Sequence, residues 1–183
     1  GLKFGIEHFR RRAPHCSGAL IWQFNDCWPC VSWSLVDYDG GEKAAYQAVR
    51  RAFAPVLASF KALDDGEIEL WISNDTRAAV EGQADIRLAG LDGMEIRAER
   101  VAFALPAHTS RPVWRGAVEA ADDRVLSVRS PTDLFPANRH LFAPIARLPL
   151  AAGARPTVET TRTGPAEYRV DLSSPRLGAD KLV

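Results

Sequence analysis

The spacing of apolar residues changes once along this chain, near residue 60, and that change limits the architectures open to it. Before it, Leu2, Ile6 and Phe9 recur at helical spacing and Pro14 closes the run. The burst Ala19-Leu20-Ile21-Trp22-Gln23-Phe24, introduced by Gly18, suits a buried parallel-sheet strand, which tends to be apolar on both faces. A loop rich in Trp, Pro and Asp follows, from Trp28 to Gly41, and then a helix from about Glu42 to Phe53. That helix sets Ala45, Val49, Ala52 and Phe53 on one face, carries Arg50 and Arg51 near its end and stops at Pro55.

Beyond residue 60 the period is two. Ile68, Leu70 and Ile72 alternate with Glu67, Glu69 and Trp71, and Ala84, Ile86 and Leu88 alternate with Asp85 and Arg87. Further short strands are expected near 95–103, 111–118, 124–129 and 139–148, separated by turn signals such as Asp64-Asp65-Gly66 and Leu91-Asp92-Gly93. Short strands at this spacing predict a β-sandwich. Ala151 to Pro156 reads as a linker, after which Glu167 to Leu172 opens a further β unit. An isolated βα pair cannot bury both faces of its strand, so the first region must dock on the β module or on something outside this chain. The chain begins inside a helical pattern and ends as alternation restarts, so both ends read as cut from a larger protein.

Charge narrows the function. Lys+Arg and Asp+Glu both number 23, which removes the net basic footprint on which nucleic-acid binders depend. No apolar run approaches the roughly 20 residues that span a bilayer, and the first residues lack the order of a signal peptide. Three cysteines form no dense framework, which leaves the compartment open with the cytoplasm favoured.

Chemistry-bearing residues are few. Cys27-Trp28-Pro29-Cys30 has redox spacing, but no helical pattern starts there, and with Cys16 and His15 it makes only half of a zinc knuckle. These cysteines read as small buried residues beside a packed loop. Asn74-Asp75-Thr76 fits a glycosylation sequon, but such triplets arise by chance and no secretory signal supports it, and Arg10-Arg11-Arg12 reads as a solvated helix end. Glu7, Asp26, Asp37 and Asp39 stand in contexts typical of helix surfaces and turns rather than of a catalytic acid. The densest cluster is Trp22, Gln23, Asn25, Asp26 and Trp28, at the carboxyl end of the expected strand, where α/β and barrel proteins place ligands. An indole stacks on the C–H face of a pyranose, and amides and carboxylates pair with its hydroxyls.

Gly18 through Pro29, then Ser32-Trp33-Ser34-Leu35-Val36-Asp37-Tyr38, Lys43-Ala44-Ala45-Tyr46 and Arg50-Arg51-Ala52-Phe53-Ala54-Pro55, closely resemble the β-mannosidases of glycoside hydrolase family 2. Ser73-Asn74-Asp75 and Asn138-Arg139 fit more weakly. The resemblance implies an α/β fragment, the last helix, strand and helix of a (β/α)8 barrel, followed by an all-β immunoglobulin-like sandwich and the start of a second one. Residues 1–58, 59–152 and 153–183 would be these three parts. It implies a retaining enzyme that removes terminal β-mannose from oligosaccharides with no cofactor or metal, and whose partners are that substrate and the enzyme's own N-terminal domains. Trp22 would lie beneath the sugar, with Gln23, Asn25, Asp26 and Trp28 beside it. The family's two catalytic glutamates stand in Asn-Glu and Ser-Glu contexts, and neither dipeptide occurs here, so this chain alone is expected to be inactive. The alternative is a non-catalytic sandwich module that binds carbohydrate or a protein partner through residues 60–150.

Overall fold

The structure, a computed structural model, describes residues 1–149 and 157–173, the side chain of Leu172 excepted. Two helices come first, α1 (Leu2–Arg11) and α2 (Ala44–Ala52). Seven strands follow: β1 (Val56–Ala62), β2 (Glu67–Asn74), β3 (Val80–Gly90), β4 (Glu95–Leu105), β5 (Thr109–Ala117), β6 (Arg124–Arg129) and β7 (Asn138–Leu141). They form a three-stranded sheet ordered β1-β2-β5 and a four-stranded sheet ordered β4-β3-β6-β7. Seven strands divided in this way make the immunoglobulin-like arrangement expected from the alternation. A separate hairpin, β8 (Thr157–Arg162) with β9 (Tyr168–Ser173), comes last.

The alternation in β2 and β3 is realised directly. Ile68, Leu70 and Ile72 are buried from β2, and Ala84, Ile86 and Leu88 from β3. Gly66 and Gly93 sit at the hairpin turns with positive φ, a conformation that costs glycine nothing. Pro112 lies in β5, an edge strand of its sheet where proline is tolerated, and the β2–β5 register shifts beside it, between Leu70 and Trp71.

β1 was not legible as a strand, and the reason is physical. Val56, Leu57, Ala58, Ser59 and Phe60 are all buried, so no alternation marks it. Its second face is covered by α1, whose Arg11 Nη1 donates to Ser59 Oγ at 3.0 Å. The division at 58/59 therefore falls inside β1.

The chain divides into two compact units. Gly1–Ile86, Glu99–Glu119 and Ser127–Arg139 make the first. The second comprises the described residues of Arg87–Ala98, Ala120–Leu126 and His140–Val183. Within the second, Ala89, Leu91, Val125, Ala143 and Leu148 form a small core. The expected final β unit is the hairpin β8–β9, while the expected linker from 151 to 156 lies outside the described residues.

The first unit holds both helices and answers the docking question: the helical region packs on the β module. Arg10 Nη1 donates to the carbonyls of Ala52 and Ala54, both at 2.7 Å, and Nη2 lies 2.9 Å from Asp75 beyond β2. Asn138 of β7 donates through Nδ2 to Glu7 Oε1 and to the Ala58 carbonyl, both at 2.7 Å. Lys3 completes the charge balance with Glu7 at 3.0 Å.

Two expectations about this region are corrected. Arg10 and Arg11 are not a solvated helix end; both are buried, while Leu2 and Phe9 stay substantially exposed. The helix buries Ile6, Glu7, Arg10 and Arg11, because its neighbours present carbonyls and carboxylates that guanidinium groups satisfy. Ala19–Phe24 is not a buried strand: it joins no ladder, and Leu20 is fully exposed. A parallel strand needs hydrogen-bonded neighbours, and here this region has a single isolated parallel bridge, Asn25–Val36. The sequon is structural, since Asn74 is buried with Nδ2 donating to the carbonyls of Ala78 and Pro106, both at 2.9 Å.

Candidate functional site

The segment from Ile21 to Lys43 rests on the helix pair. Leu35 joins Ile6, Val49 and Ala52 in a small apolar core, with Ile21, Val36, Ala45 and Tyr46 packed against it. Phe24 meets the Tyr46 ring edge-on at 6.2 Å. Backbone bonds tie three stretches together: Asp26 N donates to Val36 O at 3.0 Å, Val36 N to Phe24 O at 2.9 Å, and Lys43 N to Leu35 O at 2.9 Å. Asp37 closes the turn before α2, accepting from Gly41 N through Oδ1 at 2.6 Å. The turn role expected of that aspartate is the one it has.

On this base the aromatic side chains face outward. Trp22 is 80% exposed and Trp28 72%, with Trp33 comparably open. The Trp22–Gln23 peptide bond is cis. Gln23 Nε2 donates to Asn25 O at 3.0 Å, and Asn25 Nδ2 donates to Asp26 O at 3.2 Å. Each amide thus keeps its side-chain oxygen available as an acceptor. Three flat indoles and two amides therefore share one surface segment, a set suited to a sugar's C–H faces and hydroxyls.

Asp26 differs from the other four expected site residues. Its side chain is 0% accessible, and Lys43 Nζ lies 2.7 Å from Oδ2. Oδ1 accepts from Ser32 Oγ, and the Cys30 thiol lies 3.9 Å from it. The other donors of Lys43 reach Ser34 Oγ at 2.7 Å and Ser32 O at 3.3 Å. Ser34 in turn donates from N to Ser32 Oγ at 3.0 Å and from Oγ to Val36 O at 2.9 Å. Every proton in this network has an acceptor, so the carboxylate faces inward and is spoken for. Hydrogen bonds from Lys43 and Ser32 hold its pKa down from 3.8 to about 2.

The cysteines are not the small buried residues expected: Cys27 and Cys30 carry free, exposed thiols in a bend rather than at a helix start, and Cys16 is half-buried. Among the described residues, no group of three or more His, Cys, Asp or Glu is placed to hold a metal ion.

With this geometry in view, comparison with known proteins is informative. Residues 66–145 match the mannosidase Ig/CBM-like domain family. The solved β-D-mannosidase from Dictyoglomus thermophilum is similar over 96% of this chain and 22% of that one, with a TM-score of 0.80 and 30% identity. These likenesses support a C-terminal part of a glycoside hydrolase family 2 protein. Beta-mannosidase B of Aspergillus clavatus is 33% identical over 116 residues, 55% of this chain and 14% of that protein. Its counterpart in Aspergillus terreus is 30% identical over 151 residues, 70% of this chain and 18% of that protein. The chain thus spans between a seventh and a quarter of these relatives.

Sequence reasoning placed Lys43 in the family pattern without a role. Seventeen residues separate it from Asp26, and no local spacing signals such a contact. One clue was available: a lysine just before a helix is a poor cap and sits at the positive end of the helix dipole.

Proposed function

We propose that this chain completes a retaining β-mannosidase, with Trp22 as the platform on which the terminal mannose lies. The single observation that carries the reading is the outward set of Trp22, Gln23, Asn25 and Trp28 on a base locked by Asp26 and Lys43. The similarity to the Dictyoglomus enzyme across 96% of the chain supports it. The indole of Trp22 would stack on the C–H face of the pyranose while Gln23 and Asn25 accept from its hydroxyls. Asp26 acts from behind, by holding the segment in place. Residues 1–58 would be the closing helix, strand and helix of a barrel, in which the exposed stretch 19–24 gains the neighbours a parallel strand requires. Residues 59–152 would be the sandwich that braces it, and 153–183 the start of a further sandwich.

In retaining hydrolysis one carboxylate attacks the anomeric carbon while a second protonates the departing oxygen. Glu7 is committed to Lys3 and Asn138, Asp26 to Lys43, and Asp37 to its turn. Both catalytic carboxylates would therefore come from preceding barrel strands, and the 183-residue chain alone should not turn over. Nitrophenyl β-D-mannoside tests this: the pure chain should release no nitrophenolate. A longer polypeptide that includes the preceding strands should release it. In that polypeptide Trp22→Ala should lower kcat/KM about ten- to hundredfold, roughly 1.4 to 2.7 kcal/mol of transition-state binding. Unchanged kcat/KM rejects the platform.

The match of residues 66–145 to an Ig/CBM-like domain favours a second reading, a sandwich that itself binds carbohydrate. It requires mannooligosaccharide binding by the chain that survives Trp22→Ala.

A further inference from the structure

We infer that Lys43 is a positioning residue, whose contacts with Asp26, Ser32 and Ser34 fix the loop bearing Trp28 and Trp33 relative to the start of α2. Its use in catalysis rests on the sugar-site reading above; the clip itself does not.

Three observations converge. Lys43 is the N-cap of α2, yet it makes no side-chain cap and the first turn holds no acidic residue. A cation there works against the helix dipole and gives up the cap that Ser or Asp would provide, so its gain must come from elsewhere. Its ammonium has three protons, and Asp26, Ser34 and the Ser32 carbonyl each take one. The carboxylate it meets is fully inaccessible, and a buried charge without a partner is costly enough to drive local rearrangement. The acceptors lie on both sides of residues 27–31, so the contact draws the two ends of that loop together and onto α2. Removal of the ammonium leaves Asp26 uncompensated. The expected response is that the carboxylate turns to water and carries the loop with it.

The 183-residue chain contains five tryptophans, and each indole N–H gives its own nitrogen–proton NMR signal. In Lys43→Met the signals of Trp28 and Trp33 should shift and broaden, while Trp71 in β2 and Trp114 in β5 stay fixed as sandwich controls. Exchange of the Ser34, Leu35 and Val36 amides, which donate to Ser32 Oγ and to Phe24 O, should quicken at least tenfold, and Lys43→Arg, which keeps the charge, should recover part of the protection. Unchanged Trp28 and Trp33 signals in folded Lys43→Met overturn the inference; so do equal changes at all five indoles, which would mean a general loss of stability. Should Lys43→Met fail to fold, Ser34→Ala removes one acceptor and is read by the same signals. In a longer polypeptide that hydrolyses nitrophenyl β-mannoside, Lys43→Met should lower kcat/KM about tenfold. Freed indoles with unchanged kcat/KM overturn the role at the sugar site. Freed indoles with Trp22→Ala inert in that polypeptide sink the platform and leave the clip supported.

Discussion

Two cations lie at opposite ends of α2, the buried Arg10 and the half-buried Lys43, and their contacts serve different purposes. Lys43 meets a buried carboxylate and two serines, all within the segment 26–43. Arg10 meets mainly neutral groups: the carbonyls of Ala52, Ala54 and Pro55, with the half-exposed Asp75 at its edge. Burial depresses the Arg10 guanidinium pKa, and Asp75 only partly offsets this. Its Nε is buried with no partner. A compact ammonium closes a local loop, whereas a planar fork with five donors gathers a helix end and a strand end that are distant in sequence. The first contact should govern local order, and the second should govern whether the helices stay docked on the sheets.

Arg10→Met provides the sharpest way to break that contrast. It strips the Ala52 and Ala54 carbonyls of their donor and should cost about 3 kcal/mol in urea unfolding, with the loss felt throughout the first unit. A loss confined to α1 would show that the helices are only loosely joined to the sandwich. Asn138→Ala should cost somewhat less, about 2 kcal/mol by the same measurement, because it leaves Glu7 and the Ala58 carbonyl short of a donor.

Acid sharpens the comparison from the other side. The Asp26 carboxyl titrates lower in the folded chain than in the unfolded one, so its contribution is complete above the ordinary carboxylate range and disappears as pH falls through about 2. Acrylamide quenching of tryptophan should therefore rise below about pH 3 ahead of any loss of circular dichroism from the sheets. Asp26→Asn should abolish that early step. Coincident transitions would place Asp26 in the global fold instead.

The smallest effect expected is a control. Arg100 pairs with Asp85 at 2.5 Å on a largely exposed strand surface. Arg100→Ala should leave the unfolding midpoint nearly unchanged, because solvent screens an exposed pair. A large shift would mean that charge rather than burial separates strong contacts from weak ones in this protein.

Much of the β module was legible in advance. The alternations through Ile68–Ile72 and Ala84–Leu88 became β2 and β3, and the strand expected at 124–129 is β6. β1 escaped because five successive residues are covered on both sides. Of the candidate site, Trp22, Gln23, Asn25 and Trp28 lie together at the surface as one segment. Asp26 is buried, and its contact with Lys43 was not foreseen.

What the residues alone determined is whatever depends on neighbours a few positions away: helical and strand periods, turns at Gly66 and Gly93, and a family pattern with its tryptophans. Tertiary structure decided the fate of each charge. Arg10, Arg11, Glu7 and Asp26 carry no mark in the sequence that separates them from solvated residues, and all four are buried. The energy of an ion depends on the groups within a few ångströms of it, and those groups come from as far as 131 positions along the chain.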